Sequence, residues 1–319
     1  MQLKTFNYII VMPVYEDGLA ASVLFSELNK QFGRRACLIV VDDGSVRNPM
    51  SAELLTKSNL DGVIIKLRRN VGHQKAIAIG LSFLAEFIKE NQIVIVMDSD
   101  GEDLPSTIPN LINELSDQEV DVCVAQRRRR VESLKFKSAY VLYKFLFKIL
   151  TGRSINFGNF MAMRARSLRR LTAMQELPLH LAATALISKL RIRHVVIDRG
   201  PRYAGQSKMN LVGLVLHAFR ALMVFAEDVL VRVGIVCSVI AGLSVLFAFI
   251  AVFLKLIGFA TPGWFSVALG VLIVIFLQTG ALALMTLILT GIMRSEKTAG
   301  TIVYQDFIDE IIEVKNDKS

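Results

Sequence analysis

Residues 93–103 read Ile-Val-Ile-Val-Met-Asp-Ser-Asp-Gly-Glu-Asp, an apolar run that passes directly into a cluster of carboxylates. A short apolar run bounded by turn residues is typical of a buried strand. Asp98 and Asp100 stand one residue apart at its end. There they can share a hard divalent cation such as Mg²⁺ or Mn²⁺, which prefers oxygen ligands and bridges to phosphates. Glu102 and Asp103 extend the acidic patch. A solvated turn is the alternative interpretation.

Short apolar runs alternate with helical patterns along the first part of the chain. Alternation of this kind indicates a mostly parallel sheet covered by helices on both faces, so the predicted fold class is α/β. Strands are predicted at Asn7–Val14, Ala36–Val41, Gly62–Leu67, Ile93–Met97 and Asp121–Gln126, and helices at Leu19–Phe32 and Gln74–Lys89.

Polar side chains follow each of these predicted strands. Ligands of such sheets bind beyond the carboxyl ends of the strands, so the polar groups are expected to form one site. Carboxylates at two strand ends and arginines at two others are hard to explain as turns alone. The polar groups are Tyr15, Asp42–Asp43, Arg69–Asn70, Asp98–Asp100 and Arg127.

Two of these clusters suit a nucleotide. A carboxylate in Asp42–Ser45 could accept the imide N–H of a uracil or the N1–H and N2 amine of a guanine, although Asp and Ser are also common turn and cap residues. Arg69 precedes a predicted helix and could stack on a base or bind phosphate. His73, at the start of that helix, is either catalytic or a capping and packing residue.

The second part of the chain is strongly apolar. Of the 319 residues 53% are hydrophobic and only 20% charged, and no charged residue occurs in Val233–Leu254 or Trp264–Met293. Each stretch exceeds the roughly 20 apolar residues that a helix needs to cross a bilayer. Arginines and a lysine flank the outer ends of the pair, which by the positive-inside rule predicts that both termini are cytosolic. The three cysteines are widely spaced, so neither a disulfide framework nor a zinc site is expected.

The formal net charge of +9 has two interpretations, nucleic acid and anionic lipid. Because the basic residues cluster near the apolar helices, we expect lipid headgroups and no nucleic-acid partner. Two segments, about 134–150 and 209–230, are amphipathic and could lie in the membrane interface. The alternative is that they pack on the soluble domain.

The ordered motifs resemble family 2 glycosyltransferases of the GT-A fold, a Rossmann-like nucleotide-sugar-binding fold. Within these the chain looks most like the polyprenyl-phosphate glycosyltransferases, which include dolichol-phosphate mannose synthases and bacterial undecaprenyl-phosphate glucosyltransferases. Residues 203–209 resemble the Gly-x-Ser-Lys stretch of that group, and two C-terminal spans match its bacterial members. The motifs are Pro13-Val14-Tyr15, Val41-Asp42-Asp43-Gly44-Ser45, Arg69–Ala76 and Met97–Pro105.

The resemblance implies a role for each group of residues. Nucleotide binding is implied for Pro13, Tyr15, Asp42, Asp43, Arg69 and Asp98. Coordination of Mg²⁺ or Mn²⁺ is implied for Asp98, Asp100 and Glu102. Contact with the acceptor phosphate or the leaving diphosphate is implied for Arg127, Arg128, Arg202, Ser207 and Lys208. The catalytic residues would be Asp98, Asp100 and Arg127.

The implied layout has several parts. They are a cytosolic GT-A catalytic domain over 1–208, an interfacial helix over 209–230, two transmembrane helices over 231–294 and a cytosolic tail over 295–319.

The chain departs from the family at Glu16-Asp17, where many relatives have Asn-Glu, and at Glu102, where many have Gln. Asn159 stands where many have an Asp near the acceptor. An amide cannot act as a general base, but an ionised phosphate acceptor needs none.

The sequence therefore predicts an inverting, metal-dependent transfer from a nucleotide-sugar, with a UDP-sugar favoured, to undecaprenyl or another polyprenyl phosphate. The reaction is expected at the cytosolic face of a bacterial inner membrane. One alternative is a glycolipid hydroxyl acceptor, with Asp103 or Glu102 as base. Another is a non-catalytic scaffold or nucleotide-sugar sensor. Gln278 and the small residues Gly270 and Gly280 could serve helix packing within or between chains, so a homo-oligomer is possible.

Overall fold

The computed structural model describes residues 6–127, 144–204, 211–259, 263–296 and 303–316. The chain divides into two compact units. The first contains residues 1–137, 155–224 and 301–319, and the second contains residues 138–154 and 225–300.

An eight-stranded mixed sheet forms the centre of the first unit, in the order β7-β5-β6-β4-β1-β2-β3-β8. Strands β1 to β4 pair in parallel with one another, and β5 pairs in parallel with β7. Strand β6 is antiparallel to β4 and β5, and β8 is antiparallel to β3. The strands are β1 Tyr8–Val14, β2 Ala36–Asp42, β3 Asp61–Leu67, β4 Ile93–Val96, β5 Val122–Arg127, β6 Met161–Arg164, β7 Ile192–Ile197 and β8 Ile308–Val314.

The five predicted strands are all present, and the predicted α/β fold class is confirmed. The antiparallel pairs come from β6 and β8, which the sequence analysis did not predict. Strand β8 lies in the segment predicted as a separate tail over 295–319. It hydrogen-bonds to β3 instead, so the tail is part of the sheet of the first unit.

Helices cover both faces of the sheet. Alternate residues of β1 point to opposite faces, so Ile9 and Val11 pack with α3, α6 and α7, while Ile10 and Met12 pack with α1, α2 and α4. The helices of the first unit are α1 Gly18–Phe32, α2 Ala52–Lys57, α3 His73–Ala85, α4 Ile108–Glu114, α6 Ala165–Thr172, α7 Leu181–Ile187 and α8 Leu211–Met223.

Helix α3 is shorter than predicted, because the turn before β4 has its own hydrogen bonds. The side chain of Gln92 accepts from the backbone N–H of Lys89 and donates to the carbonyl of Phe6. These bonds turn residues 86–92 toward β4, so the helix ends at Ala85.

The second unit contains α5 (residues 144–151), α9 Ala226–Leu256 and α10 Trp264–Glu296. Helices α9 and α10 have mean hydropathies of 2.7 and 2.4 and are long and apolar enough to cross a membrane. Helix α9 begins before the predicted span, so its first turn carries Glu227 and Asp228. Of the segment predicted at 134–150, residues 134–143 lie outside the described residues. The described part packs on α9 through an edge-to-face contact between Phe147 and Phe225.

Candidate active site

The polar groups predicted to follow β1, β2, β3 and β4 lie along one edge of the sheet. Strands β4, β1, β2 and β3 are parallel neighbours, so their carboxyl ends lie along one edge of the sheet. The loop after β2 touches the loop after β3 at Gly44, where an added Cβ would lie 2.5 Å from the backbone carbonyl carbon of Arg69. Gly44 also has a φ of +70°, so glycine is required there on both counts.

Asp43 holds the loop after β3. Its two carboxylate oxygens accept from the backbone N–H groups of Val71 and Gly72, at 2.7 and 3.0 Å. Burial raises the pKa of Asp43, and the two hydrogen bonds act in the opposite direction. Each oxygen retains a second lone pair, so the carboxylate can still accept from a base.

Asp42 and Glu16 organise the loop after β2. Asp42 accepts from the backbone N–H groups of Ser45 and Met50, at 2.9 and 2.7 Å. Glu16, with a φ of +50°, accepts from the three consecutive N–H groups of residues 46–48. The departure from Asn-Glu at this position therefore has a structural role, which the sequence analysis did not foresee. Tyr15 is half-exposed at the end of β1, next to buried Pro13, and Arg69 is exposed.

The acidic loop after β4 has a different set of partners. Asp98 lies 3.1 Å from Nε2 of His73, and Asp100 Oδ1 accepts from the backbone N–H of Glu102. Burial raises the pKa of Asp100, and the neighbouring charge of Asp98 raises it further. Burial alone would lower the pKa of His73, but the nearby carboxylates, Asp98 first among them, outweigh it and raise it. The lone histidine at the start of α3 thus belongs to the site.

Residues 199–203, which we call the basic strap, cross the acidic loop. Arg199 forms an ion pair with Glu102, and Nη1 of Arg202 lies 3.5 Å from Asp100. The backbone N–H of Tyr203 donates to the carbonyl of Asp100. The ring of Tyr203 lies so close to Gly101 that no space is left for a Cβ. Arg202 was predicted at this site, whereas Arg199 was not, because nothing in its local sequence distinguishes it from other arginines.

The donor set fits a divalent cation held jointly with a ligand. Within the described ranges, no three His, Cys, Asp or Glu side chains are arranged to hold a metal. The predicted set of three carboxylates is therefore not arranged as a cage, since Glu102 is paired with Arg199. Asp98 and Asp100 remain. Mg²⁺ is commonly bound by one or two carboxylates plus substrate phosphates, which suits this pair.

Four further predicted site residues lie at the end of a described segment or outside the described residues. Arg127 ends β5, two strands from the acidic loop in the sheet order. Arg128, Ser207 and Lys208 lie outside the described residues.

A hydrogen-bond network not foreseen from the sequence extends behind the acidic loop. Asn159 Nδ2 lies 3.1 Å from His73 Nε2, and Asn159 Oδ1 accepts from the side chain of Gln74. Gln74 is buried, and its Oε1 accepts from the N–H of Leu181, the first residue of α7. Asn159, which departs from the Asp that the family resemblance led us to expect, is therefore held by an amide hydrogen bond with Gln74.

Comparisons with known proteins agree with this geometry. The family model described as Glycosyl transferase family 2 matches residues 9–177, more than half of the 319-residue chain. An undecaprenyl-phosphate 4-deoxy-4-formamido-L-arabinose transferase of Edwardsiella ictaluri is 26% identical over 263 residues, covering 79% of this chain and 78% of that protein. An uncharacterized glycosyltransferase of Bacillus subtilis is 25% identical over 302 residues, covering 90% and 88%.

A solved structure shows the same fold. Glucosyl-3-phosphoglycerate synthase from Mycobacterium tuberculosis, in complex with phosphoglyceric acid, superposes with a TM-score of 0.50 at 14% identity. The likeness covers 72% of this chain and 81% of that one. From the family match and this fold, the chain belongs to glycosyl transferase family 2 and is a glycosyltransferase of the GT-A fold.

Proposed function

We propose that this enzyme transfers a sugar, with inversion, from a nucleotide-sugar to polyprenyl phosphate at a membrane surface, with Mg²⁺ or Mn²⁺ bound. The observation that carries the proposal is the pairing of acidic loop and basic strap at the carboxyl edge of the sheet. Carboxylates there suit a cation, and two arginines beside them suit the phosphates of a nucleoside diphosphate.

The donor base would bind between the loops after β1, β2 and β3. Asp43 would accept from its N–H groups, and Tyr15 and Arg69 would contact the ring or ribose from the half-exposed rim. Asp42 supports this arrangement by holding the loop after β2. A UDP-sugar is the favoured donor, since an imide N–H suits a single carboxylate acceptor.

The diphosphate would lie over the acidic loop. Asp98 and Asp100 would hold the cation, which supplies neutralisation of the charge that develops on the leaving group. Arg199 and Arg202 now pair with carboxylates and could turn to the phosphate oxygens. Preorganised charges of this kind stabilise a departing oxyanion.

The acceptor phosphate would attack from the opposite side of the sugar. An oxygen of the phosphate forms a bond to the anomeric carbon as the bond from that carbon to the diphosphate breaks, and the electron pair leaves with the nucleoside diphosphate. No proton has to be removed, which agrees with an amide at Asn159. Relatives named as undecaprenyl-phosphate transferases support this choice of acceptor.

Chain connectivity supports a membrane hairpin, with catalytic unit and termini on the cytosolic side of a bacterial inner membrane. Two residues join α8 to α9, and only residues 297–302 separate α10 from the described tail, a span of at most about 25 Å. Both outer ends of the helix pair are thus tethered to the first unit. The basic residues Arg232 and Arg294 flank the same ends.

The proposal is tested with the purified full chain in detergent. It is incubated with Mn²⁺ or Mg²⁺, undecaprenyl phosphate and a panel of UDP-, GDP- and dTDP-sugars, and the lipids are analysed by mass spectrometry. A metal-dependent glycosyl-phosphate lipid, absent with Asp100→Asn, is expected. A product formed only on a glycolipid hydroxyl would overturn the acceptor, and nucleotide binding without any turnover would favour the scaffold or sensor.

A further inference from the structure

Helix α8 precedes α9 in the chain and has one exposed apolar face and one polar face. Val215, Leu216, Phe219 and Met223 are large apolar side chains about half exposed to solvent. Ala221, on another side of the helix, is buried. An exposed apolar stripe beside a polar one is typical of a helix in the interface of a membrane.

The polar stripe of α8 is directed at the active site. The guanidinium of Arg220 lies against the loop after β3, where a Cβ placed on Gly72 would be 3.6 Å from Nη1. Gly72 is the residue whose N–H donates to Asp43. Within the described part of the chain, Arg220 forms no ion pair with a carboxylate, and its side chain is exposed. It is a cation available to an anionic ligand at the donor loop.

His217, one turn earlier on α8, is fixed by a second histidine. Nε2 of His217 lies 3.1 Å from Nε2 of His180, and the two rings are 4.5 Å apart. His180 caps α7, with its Nδ1 accepting from the N–H of Ala183. Because Nδ1 has its lone pair in that bond, the proton of neutral His180 is on Nε2 and is donated to His217.

His180 stays neutral, so this direction of donation is fixed. Burial, and after it the neighbouring His217, lower the pKa of His180 to about 3. The pKa of His217 is also lowered, by burial first and then by the positive charges of His73 and Arg220, while Asp98 acts in the opposite direction. His217 therefore lies within electrostatic reach of the acidic loop.

We propose that Arg220 binds the phosphate of the lipid acceptor, and that the His180–His217 hydrogen bond positions α8 so that this guanidinium faces the donor loop. The inference rests on the proposed function and adds its acceptor subsite. The apolar stripe of α8 would lie among lipid chains while the polar stripe receives the headgroup. Arg220 is a binding residue in this scheme, and His180 and His217 are positioning residues.

The first test separates acceptor from donor. Initial rates of Arg220→Ala are measured against undecaprenyl phosphate and against the nucleotide-sugar, with UDP affinity by calorimetry. Loss of a charge-assisted hydrogen bond is expected to raise KM for the lipid by about tenfold or more, with donor KM and UDP affinity unchanged. Arg34→Ala, which removes an exposed arginine elsewhere in the same unit, should leave all three constants unchanged.

The source of the phosphate is settled with a short water-soluble isoprenyl phosphate as alternative acceptor. If Arg220 binds the headgroup, Arg220→Ala raises KM for the long and short acceptors alike, whereas Phe219→Ser affects only the long one. A rise in KM for the donor alone, or unchanged lipid kinetics in a folded Arg220→Ala variant, would overturn the inference. Absence of lipid product from the wild-type enzyme would instead defeat the proposed function itself.

The positioning pair is tested by conservative rescue. His217→Phe preserves volume but cannot accept from His180, so lipid KM should rise by about threefold, less than for Arg220→Ala. His217→Gln offers an amide oxygen in place of Nε2 and should restore the wild-type value. If the Gln and Phe variants behave alike while both remain folded, the hydrogen bond does not position the helix.

Discussion

The carboxylates after β2 and those after β4 lie at the same edge of one sheet but are held in opposite ways. Asp42 and Asp43 use all four oxygens to accept backbone N–H groups, so they fix loops. Asp98 and Asp100 each face an ionisable side chain, His73 and Arg202, although Asp100 also accepts from the backbone N–H of Glu102. Backbone bonds can be broken only by moving the chain, whereas side-chain partners can turn aside for a ligand. The first pair is a rigid frame, and the second is an exchangeable site.

The largest expected effect is on the exchangeable site. Asp100→Asn should lower kcat by about 10³-fold, because it removes a charge that holds the cation against the leaving group. The same change should leave the unfolding midpoint unchanged or slightly higher, since it relieves repulsion between Asp100 and Asp98. Rates and thermal unfolding in detergent are measured together. Asp309→Asn, which changes an exposed carboxylate elsewhere in the same unit, should affect neither. A large loss of stability in Asp100→Asn would mean that Asp100 fixes its loop as Asp42 and Asp43 do, and would contradict the distinction between frame and exchangeable site.

Gly101 lies in the acidic loop, and its positive φ and missing Cβ let the ring of Tyr203 in the basic strap lie against it. Gly101→Ala should lower the free energy of unfolding by about 3 kcal/mol, combining strain at a φ of +85° with a collision with the Tyr203 ring.

Gly33→Ala is the matched control for this glycine. Gly33 has a φ of +52° with a ψ of −137° and no neighbour within 4 Å of an added Cβ, so about 2 kcal/mol of backbone strain is expected without a collision. The difference between the two variants measures the contact with Tyr203. Equal losses would mean that the strap yields to the new methyl group.

The rigid frame is tested at Asp43. In Asp43→Asn an NH₂ group would face one of the two backbone N–H donors, so stability should fall by about 2 kcal/mol. UDP affinity, measured by calorimetry, should fall as well. Asp42→Asn would likewise lose one of its two backbone hydrogen bonds and should cost similar stability with a smaller effect on affinity. If Asp43→Asn is as stable as the wild type, the carboxylate is not part of the frame.

The smallest expected effect is a pH dependence of stability that arises from His180, which is neutral in its hydrogen bond with His217. With a folded pKa of about 3 and an unfolded value near 6.5, only unfolded His180 takes up a proton between those values. Stability must therefore decrease as the pH falls below 6.5, by about 1 kcal/mol at pH 6. His180→Gln should weaken this dependence in unfolding midpoints measured at pH 8 and pH 6. An unchanged dependence would assign it to other groups.

The sequence predicted the part of the fold that depends on local patterns. Strands β1 to β5 are apolar runs with turn residues at their ends, and Asp98 and Asp100 follow one of them, so the position of the acidic loop could be predicted from the sequence, while its role in holding a cation stays a prediction. Strand β6 is only four residues long. Strand β8 reads Ile-Asp-Glu-Ile-Ile-Glu-Val, in which the apolar residues fit helical spacing as well as a strand. Pairing with β3 decides between them.

The site residues that could not be predicted from the sequence have one property in common. His180 and His217 are 37 positions apart, and Arg199 meets Glu102 across the sheet edge, so their partners are set by tertiary packing. Glu16 acts through backbone N–H groups about 30 residues away. No periodicity or motif encodes such contacts.

The pairing of β8 with β3 has a consequence for biosynthesis. Gly62 pairs with Val314, so the edge of the catalytic sheet closes only after the ribosome has made both apolar helices. Until then β3 presents an open edge, which is a site for aggregation. Such a late, non-local contact is slow to form. Completion of the catalytic sheet therefore has to wait for the synthesis of α9 and α10, and a nascent chain that stops before residue 308 keeps the open edge of β3.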